Sequence, residues 1–182
     1  MPPTGAREEG SYADQLPDYS EGNGPLSLAH GEDLLWVSYG TSTVGIIDPQ
    51  TMELIRVDEG SLEVNAYDIL VTNGFVWASH QNPNGDAIVS YSSTDGSADQ
   101  RGTVKLPNNG YPDAQAFGEG RLWVINQAFE DGDPSWLVAV DPETREMVGD
   151  PIELDIFFQG TVAVGDGYVW VTGNEVLYQV TP

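Results

Sequence analysis

The sequence contains no cysteine, and this absence excludes two kinds of structure. Without a thiol, no disulfide can form and no metal site can use thiolate ligands. Histidine is nearly as scarce, with only His30 and His80. No apolar run approaches the roughly 18 residues of a membrane-spanning helix, and the first 24 residues hold no apolar segment of the kind found in secretory signals. The sequence therefore predicts neither a disulfide scaffold nor a membrane protein.

Basic residues are also few. Six Lys and Arg residues stand against 29 Asp and Glu residues, which gives a formal net charge of −23. A surface of this kind repels the phosphates of nucleic acids and of anionic lipids, so we expect neither nucleic acid nor membrane as a partner. The acidic residues are scattered along the chain and not grouped in blocks. This pattern favours a very soluble or salt-adapted surface over a single acidic site.

The sequence does contain a regular repeat marked by tryptophan. Trp36, Trp77, Trp123 and Trp170 lie 41, 46 and 47 residues apart, in the similar phrases LLWVSYG, FVWASHQ, RLWVINQ and YVWVTGN. A period in the forties is typical of one supersecondary unit copied several times. Each copy contains short apolar runs rich in Val, Ile, Tyr and Trp, separated by Gly, Asn, Asp and Pro. Such runs predict β-strands.

Turn residues indicate how these strands are joined. The first two strands of the copies are separated by GED, TNG, GEG and GDG, residues that tolerate the positive φ of tight hairpins. In two copies an Asp-Pro-x-Thr turn follows the third strand, at residues 48–51 and 141–144. There proline presets φ, and the Asp side chain can bond the backbone two residues on. Four antiparallel strands joined in this way predict a β-propeller blade.

The predicted fold is therefore all-β: a propeller of four four-stranded blades, with each repeated Trp packed between neighbouring blades and the last blade incomplete. The predicted blades span residues 25–60, 64–107, 111–155 and 159–182. Residues 1–24 form a tail that is either poorly ordered or supplies a closing strand. Because the fourth copy stops before its outermost strand, we expect an open or dimerising arc. A homodimer and a fragment of a larger propeller are the alternatives.

The repeated Trp phrase and the Asp-Pro turns resemble the repeats of the YVTN/NHL-type β-propeller superfamily, including streptogramin-lyase-like proteins. The resemblance extends over residues 25–182. It implies a ligand-binding or scaffolding role, because only a minority of the members of this superfamily are enzymes. Streptogramin lyases, as the resemblance implies, use histidines and a glutamate of later blades with a divalent cation. Here both histidines lie in the first half of the chain, so the lyase residues do not carry over.

Two enlarged loops form the predicted binding site. Residues 80–86 and 126–136 replace loops that are short in the first and fourth copies, and function in repeat folds lies where the copies differ. Blade geometry places these loops on one face with the connections between blades at 59–67, 107–112 and 155–159. We expect a small polar ligand, such as a sugar or peptide, or a protein partner. The candidate residues are His80, Gln81, Asn82, Tyr111, Asn126, Gln127 and Trp136, with Trp136 or Tyr111 as a stacking platform.

The same loops contain alternating oxygen ligands that could hold calcium, the one cofactor that the sequence suggests. The candidates are Asn82, Asn84 and Asp86 in the first loop, and Asp131 and Asp133 in the second. Neither loop supplies the bidentate glutamate of an EF-hand in register. Solvated loops without a metal are the simpler interpretation.

The sequence thus favours a non-catalytic propeller that binds a ligand or partner on the face of the enlarged loops. One alternative is a metal-assisted lyase or hydrolase of the streptogramin-lyase type, with His80 as base. The other is a structural arc that assembles with another polypeptide. No G-x-S-x-G, Walker A, G-x-G-x-x-G or HExxH string supports another enzyme class.

Overall fold

The computed structural model describes residues 25–39, 43–58, 68–81, 86–95, 101–107, 109–128, 133–157, 160–173 and 175–182. The predicted tail at 1–24 lies outside these residues, as do Asn82, Asn84 and Asp131. Within the described ranges every regular element is a strand. Those ranges contain no helix of the length and hydrophobicity needed to cross a bilayer.

The strands form four antiparallel sheets, each built from strands that are consecutive in the chain. The first blade contains β1 (Pro25–Gly31), β2 (Leu34–Tyr39), β3 (Val44–Ile47) and β4 (Leu54–Asp58). The second contains β5 (Asp68–Thr72), β6 (Phe75–Gln81), β7 (Ala87–Ser93) and β8 (Arg101–Lys105). The third contains β9 (Tyr111–Gly118), β10 (Arg121–Gln127), β11 (Ser135–Asp141) and β12 (Glu146–Leu154). The fourth contains β13 (Thr161–Gly165), β14 (Tyr168–Gly173) and β15 (Val176–Val180), which completes the predicted pattern of three full blades and one three-stranded blade.

The hairpins between the first two strands of each blade follow the predicted turn chemistry. Two residues with positive φ occupy each turn, for example Asn73 at 53° and Gly74 at 75°. This conformation matches the right-handed twist of the flanking strands. The Asp-Pro turns are also as predicted: the carboxylate of Asp48 accepts hydrogen bonds from the backbone N–H of Gln50 at 2.7 Å and Thr51 at 3.2 Å. These two bonds lower the pKa of Asp48, with the bond from Gln50 contributing most.

The blades pack face to face through interfaces that we call seams. Three of the repeated tryptophans fill them: Trp36 lies between the first and second blades, Trp77 between the second and third, and Trp123 between the third and fourth. Their exposed fractions are 1%, 0% and 3%. Successive side chains of a strand point to opposite faces of the sheet, so the second blade has two apolar faces. Val76 and Ala78 face the first blade, while Phe75 and Trp77 face the third. The prediction of an indole at each seam is confirmed for these three.

The fourth tryptophan differs from the other three. Val169 and Val171 face the third blade, so the intervening Trp170 projects from the opposite face of its sheet and is only half-buried. Extensive contacts between inner strands join β1 to β5, β5 to β9 and β9 to β13. The pair β13 and β1, which would close a ring, is not among the well-packed pairs of the described residues. The described blades therefore form an open arc, and the expectation of four equivalent indoles is wrong for Trp170.

A polar chain links the inner strands of three blades. The Ser27 hydroxyl donates to the Asp68 carboxylate at 2.9 Å, and the backbone N–H of Gln115 donates to its other oxygen at 3.2 Å. The Gln115 amide also donates to the carbonyl oxygens of Asp68 and Trp77. Burial raises the pKa of Asp68, although these hydrogen bonds oppose the shift. These hydrogen bonds connect the first, second and third blades on the inner side of the arc.

Candidate functional site

The site lies at the edge of the third blade where β10 ends and β11 begins. Asn126 is directly opposite Trp136 in the antiparallel pair of β10 and β11, so their side chains share one face. Gln127, the next residue, is opposite Tyr111 of β9. The register thus places four of the predicted ligand-binding residues at one edge of the sheet. Three of them line the cavity described next, and Tyr111 is not among its described lining residues.

A cavity of about 490 Å³ opens at this edge. It is lined by Asn109, Asn126, Gln127, Ala128, Asp133, Pro134 and Trp136. Asn126 and Gln127 are deeply buried, whereas Asn109, Asp133 and Pro134 are exposed at the rim. The volume lies within the range of typical small-molecule sites, about 300–1,000 Å³. An indole surface, three amides and one carboxylate give the cavity one flat apolar wall and several polar groups.

Hydrogen bonds to the neighbouring connection hold the amide side of the cavity. The Asn126 amide donates to the carbonyl oxygen of Pro107 at 2.7 Å. Gln81 of the second blade donates to the carbonyl oxygen of Gly110 at 3.3 Å. A Cβ atom at Gly110 would collide with the Asn126 side chain and the Gln127 backbone, so only glycine permits this close approach. The connection between the second and third blades is therefore hydrogen-bonded to a side chain of each blade.

Ser135 fixes the opposite side of the cavity. Its hydroxyl accepts a hydrogen bond from the backbone N–H of Ala128 at 2.9 Å and donates to the carbonyl oxygen of Ile156 at 2.6 Å. One fully buried side chain thus joins both ends of the loop between β10 and β11, as well as the connection to the fourth blade.

Trp136 forms the apolar wall. Part of its ring packs on the core between the second and third blades, and the rest lines the cavity. Its indole nitrogen is buried and has no hydrogen-bond partner in the described part of the chain. A buried donor without a partner costs about 1–3 kcal/mol, so packing and not a hydrogen bond holds this ring in place.

His80 lies away from this cavity. The side chains of Val76, Ala78 and His80 share the face of β6 that packs on the first blade, and His80 is 0% exposed. Its Nε2 atom contacts the Ser90 hydroxyl at 2.5 Å. Burial lowers the pKa of His80, which favours the neutral imidazole. The structure places this histidine in a seam, where a ligand on the loop face does not reach it without rearrangement.

The metal candidates are only partly described. The Asp86 carboxylate pairs with the Lys105 ammonium at 2.5 Å, and Asp133 lies at the cavity rim. The described residues hold no cluster of three or more His, Asp or Glu side chains suited to a metal ion. Asn82, Asn84 and Asp131 lie outside them. Calcium binding therefore stays a prediction.

Comparison with solved structures finds several proteins of similar fold. The computationally designed Ika4 protein is 15% identical, with a TM-score of 0.61 over 89% of this chain and 94% of that chain. The WD40 domain of Toxoplasma gondii coronin is 14% identical, with a TM-score of 0.62 over 88% of this chain and 46% of that chain. The β-propeller domain of Myceliophteria thermophila Cps50 (Swd1) is 14% identical, with a TM-score of 0.55 over 87% and 52%.

The fold is a partial β-propeller. The chain spans about half the length of the coronin and Swd1 chains and nearly all of Ika4. No protein-family model matches it, and no curated protein does. The propeller prediction is thus confirmed at the level of the fold, and membership of the YVTN/NHL superfamily stays a prediction.

Sequence reasoning did not identify Asn109, Ala128 or Pro134 as lining residues, and it assigned Asp133 to a metal site. Asn109 lies in the 107–112 connection, which was predicted to share the loop face, so a signal for it was present. Ala128 and Pro134 lie within the predicted 126–136 loop. Their sequence gives no chemical signal, because a small apolar residue and a proline are ordinary in loops.

Proposed function

We propose that this protein is a non-catalytic binding module, and that the cavity beside Trp136 holds a small polar ligand. The observation that supports this most directly is the convergence of Trp136, Asn126, Gln127 and Asp133 on one preformed cavity. An indole face suits the apolar face of a sugar ring or peptide group, and the amide and carboxylate groups suit its polar edges.

The negative charge of the protein limits the classes of ligand that the cavity could hold. The chain has a net charge of −23, and the rim of the cavity carries Asp133. An anionic ligand would meet unfavourable potential here, whereas a neutral or cationic ligand would not. We therefore favour a neutral saccharide or a short neutral or basic peptide. A protein partner that inserts such a segment is compatible with the same chemistry.

The lyase alternative finds less support in the geometry. It requires His80 as an accessible base, and this side chain is buried in the seam between the first and second blades. The described carboxylate nearest in sequence, Asp86, pairs with Lys105. A binding role does not require His80 to become exposed.

The proposal predicts binding that depends on the cavity wall. A panel of neutral mono- and disaccharides and of neutral and basic dipeptides is titrated by calorimetry, and Trp136→Leu is expected to weaken binding by about 100-fold because the stacking surface is lost. Asp133→Ala is expected to weaken it by about tenfold, the effect of one lost hydrogen bond.

The matched control is Asp166→Ala, which removes an exposed carboxylate from a hairpin turn that does not line the cavity. It should leave the affinity unchanged. The proposal fails if no member of the panel binds. It also fails if the ligand that binds does so equally well with Trp136→Leu, provided that the variant keeps the wild-type circular dichroism spectrum.

A further inference from the structure

The exposed face of the fourth blade repeats a docking surface that is occupied elsewhere in the molecule. In the first blade, the indole of Trp36 donates to the carbonyl oxygen of Gly31 at 3.0 Å, and in the third blade Trp123 donates to Gly118 at 3.3 Å. The fourth blade contains the same arrangement, with Trp170 donating to Gly165 at 3.2 Å. The glycine and its indole therefore form one structural unit that occurs three times.

In the first and third blades this unit receives the inner strand of the following blade. A Cβ atom at Gly31 would lie 2.5 Å from Cγ1 of Val71, and one at Gly118 would collide with Val164. Ile69 precedes Val71 by two residues, as Val162 precedes Val164, and both belong to the apolar clusters of these seams. The absence of a side chain on the glycine allows the inner strands to approach closely.

In the fourth blade no described residue occupies the same unit. A Cβ atom at Gly165 would have no atom of the described residues within 4 Å. Tyr168 and Leu177 are exposed, and the half-buried Trp170 lies between their strand positions on the same sheet face. We call Gly165, Tyr168, Trp170 and Leu177 the terminal face. It has the chemistry of a seam without the blade that covers it.

The complementary half of a seam is exposed at the other end of the arc. The residues of β1 that correspond to Ile69 and Val71 are Leu28 and His30, since each pair stands eight and six residues before the repeated tryptophan. Ile69 is buried, whereas Leu28 is 63% exposed and His30 is also exposed. The two ends of the arc thus carry opposite halves of one interface.

We propose that the terminal face docks the first blade of a second copy of this chain, and that two copies close into one ring. The two contacts of such a ring are related by a two-fold axis, so the interface is isologous: Gly165 and Trp170 of each copy meet Leu28 and His30 of the other. The occupied seams of this same chain supply the model for the contact. The comparison structures agree in size, since the chain covers 46% of the coronin chain and 52% of the Swd1 chain.

The first test uses the glycine that distinguishes the free surface from the occupied ones. Gly165→Leu places a side chain where the second copy would dock, and its φ lies outside the left-handed region, so the monomer should tolerate the change. By sedimentation equilibrium of residues 1–182, we expect the wild type at twice the 19.7 kDa chain mass and Gly165→Leu at the single mass with an unchanged circular dichroism spectrum. The matched control, Gly118→Leu, should unfold or melt at a lower temperature because Val164 occupies its space.

A second test places the contact without relying on the stability of that variant. Because the chain has no cysteine, the double variant His30→Cys, Gly165→Cys contains only the two introduced thiols. Oxidation should give a covalent pair of chains on a denaturing gel. A wild-type monomer, an oligomer larger than two, or a Gly165→Leu dimer would overturn the proposal. So would a cross-link within one chain, which would mean that the first blade of the same chain covers the terminal face.

Discussion

At the scale of the residue, burial governs what the two histidines and the tryptophans do. Trp77 illustrates this, because Thr72 replaces the glycine that accepts the indole hydrogen bond in the other three copies. The Trp77 nitrogen is buried and has no hydrogen-bond partner in the described residues. The ring packs instead against Tyr91 at 5.3 Å and Phe75 at 6.0 Å between centroids. Aromatic packing replaces the hydrogen bond in this seam.

His80 makes the stability of the protein depend on pH. Burial lowers its pKa from the ordinary value of 6.5, so the unfolded chain binds a proton more readily than the folded one. The contribution of His80 to the free energy of unfolding is therefore complete above pH 6.5 and is lost as the pH falls through the folded-state pKa. We expect His80→Gln to reduce the slope of stability against pH below 6.5, measured by urea unfolding.

Thr103→Ala is the matched control, because it changes an exposed neutral side chain of the same blade and leaves His80 in place. It should retain the wild-type slope. A His80→Gln protein with the same slope as the wild type would show that His80 is protonated equally in both states.

At the scale of the element, the tight turns were predictable from the sequence, and the contacts that hold the loop between β10 and β11 were not. Asn73-Gly74 and the Asp48 turn are local, because their backbone conformations depend on residues two or three positions apart. The clamp at Ser135 instead joins residues seven and 21 positions away. Nothing in the local sequence around this serine distinguishes it from an ordinary loop residue.

Ser135→Ala is expected to destabilise the fold by about 1–3 kcal/mol, because the Ala128 N–H and the Ile156 carbonyl would lose a buried partner. Urea unfolding followed by circular dichroism measures this change. Thr51→Ala, which removes an exposed hydrogen bond to the Glu53 N–H, should cost less than about 0.5 kcal/mol. Equal effects of the two substitutions would contradict a special role for Ser135.

At the scale of the whole molecule, the 41- to 47-residue period predicted the number of blades, their order and the closed seams. It could not predict that Trp170 would differ, because a repeat pattern carries no information about the neighbour that the last copy lacks. The hydrogen bonds that link Ser27, Asp68 and Gln115 could not be predicted from the sequence either, because they join residues 41 and 47 positions apart. The enlarged loops drew attention to Asn126, Gln127 and Trp136, which line one cavity, and their role in ligand binding stays a prediction. The seam location of His80 could not be predicted, because it depends on the packing of two blades.

The charge of −23 also acts on the whole molecule. Like charges repel within one arc and between two arcs, and this repulsion weakens as salt shortens the Debye length from about 30 Å at 0.01 M to about 10 Å at 0.1 M. Docking through the terminal face would therefore strengthen with ionic strength. This behaviour suits the salt-adapted surface that the composition suggests.

The open arc itself is tested most directly by hydroxyl-radical footprinting of the wild-type protein, with the oxidation rate of each tryptophan read by mass spectrometry at high dilution. Trp36, Trp77 and Trp123 are buried in seams and should oxidise slowly, whereas Trp170 should oxidise much faster and become protected as the protein concentration rises. Similar rates for all four tryptophans at every concentration would contradict three occupied seams and one uncovered end.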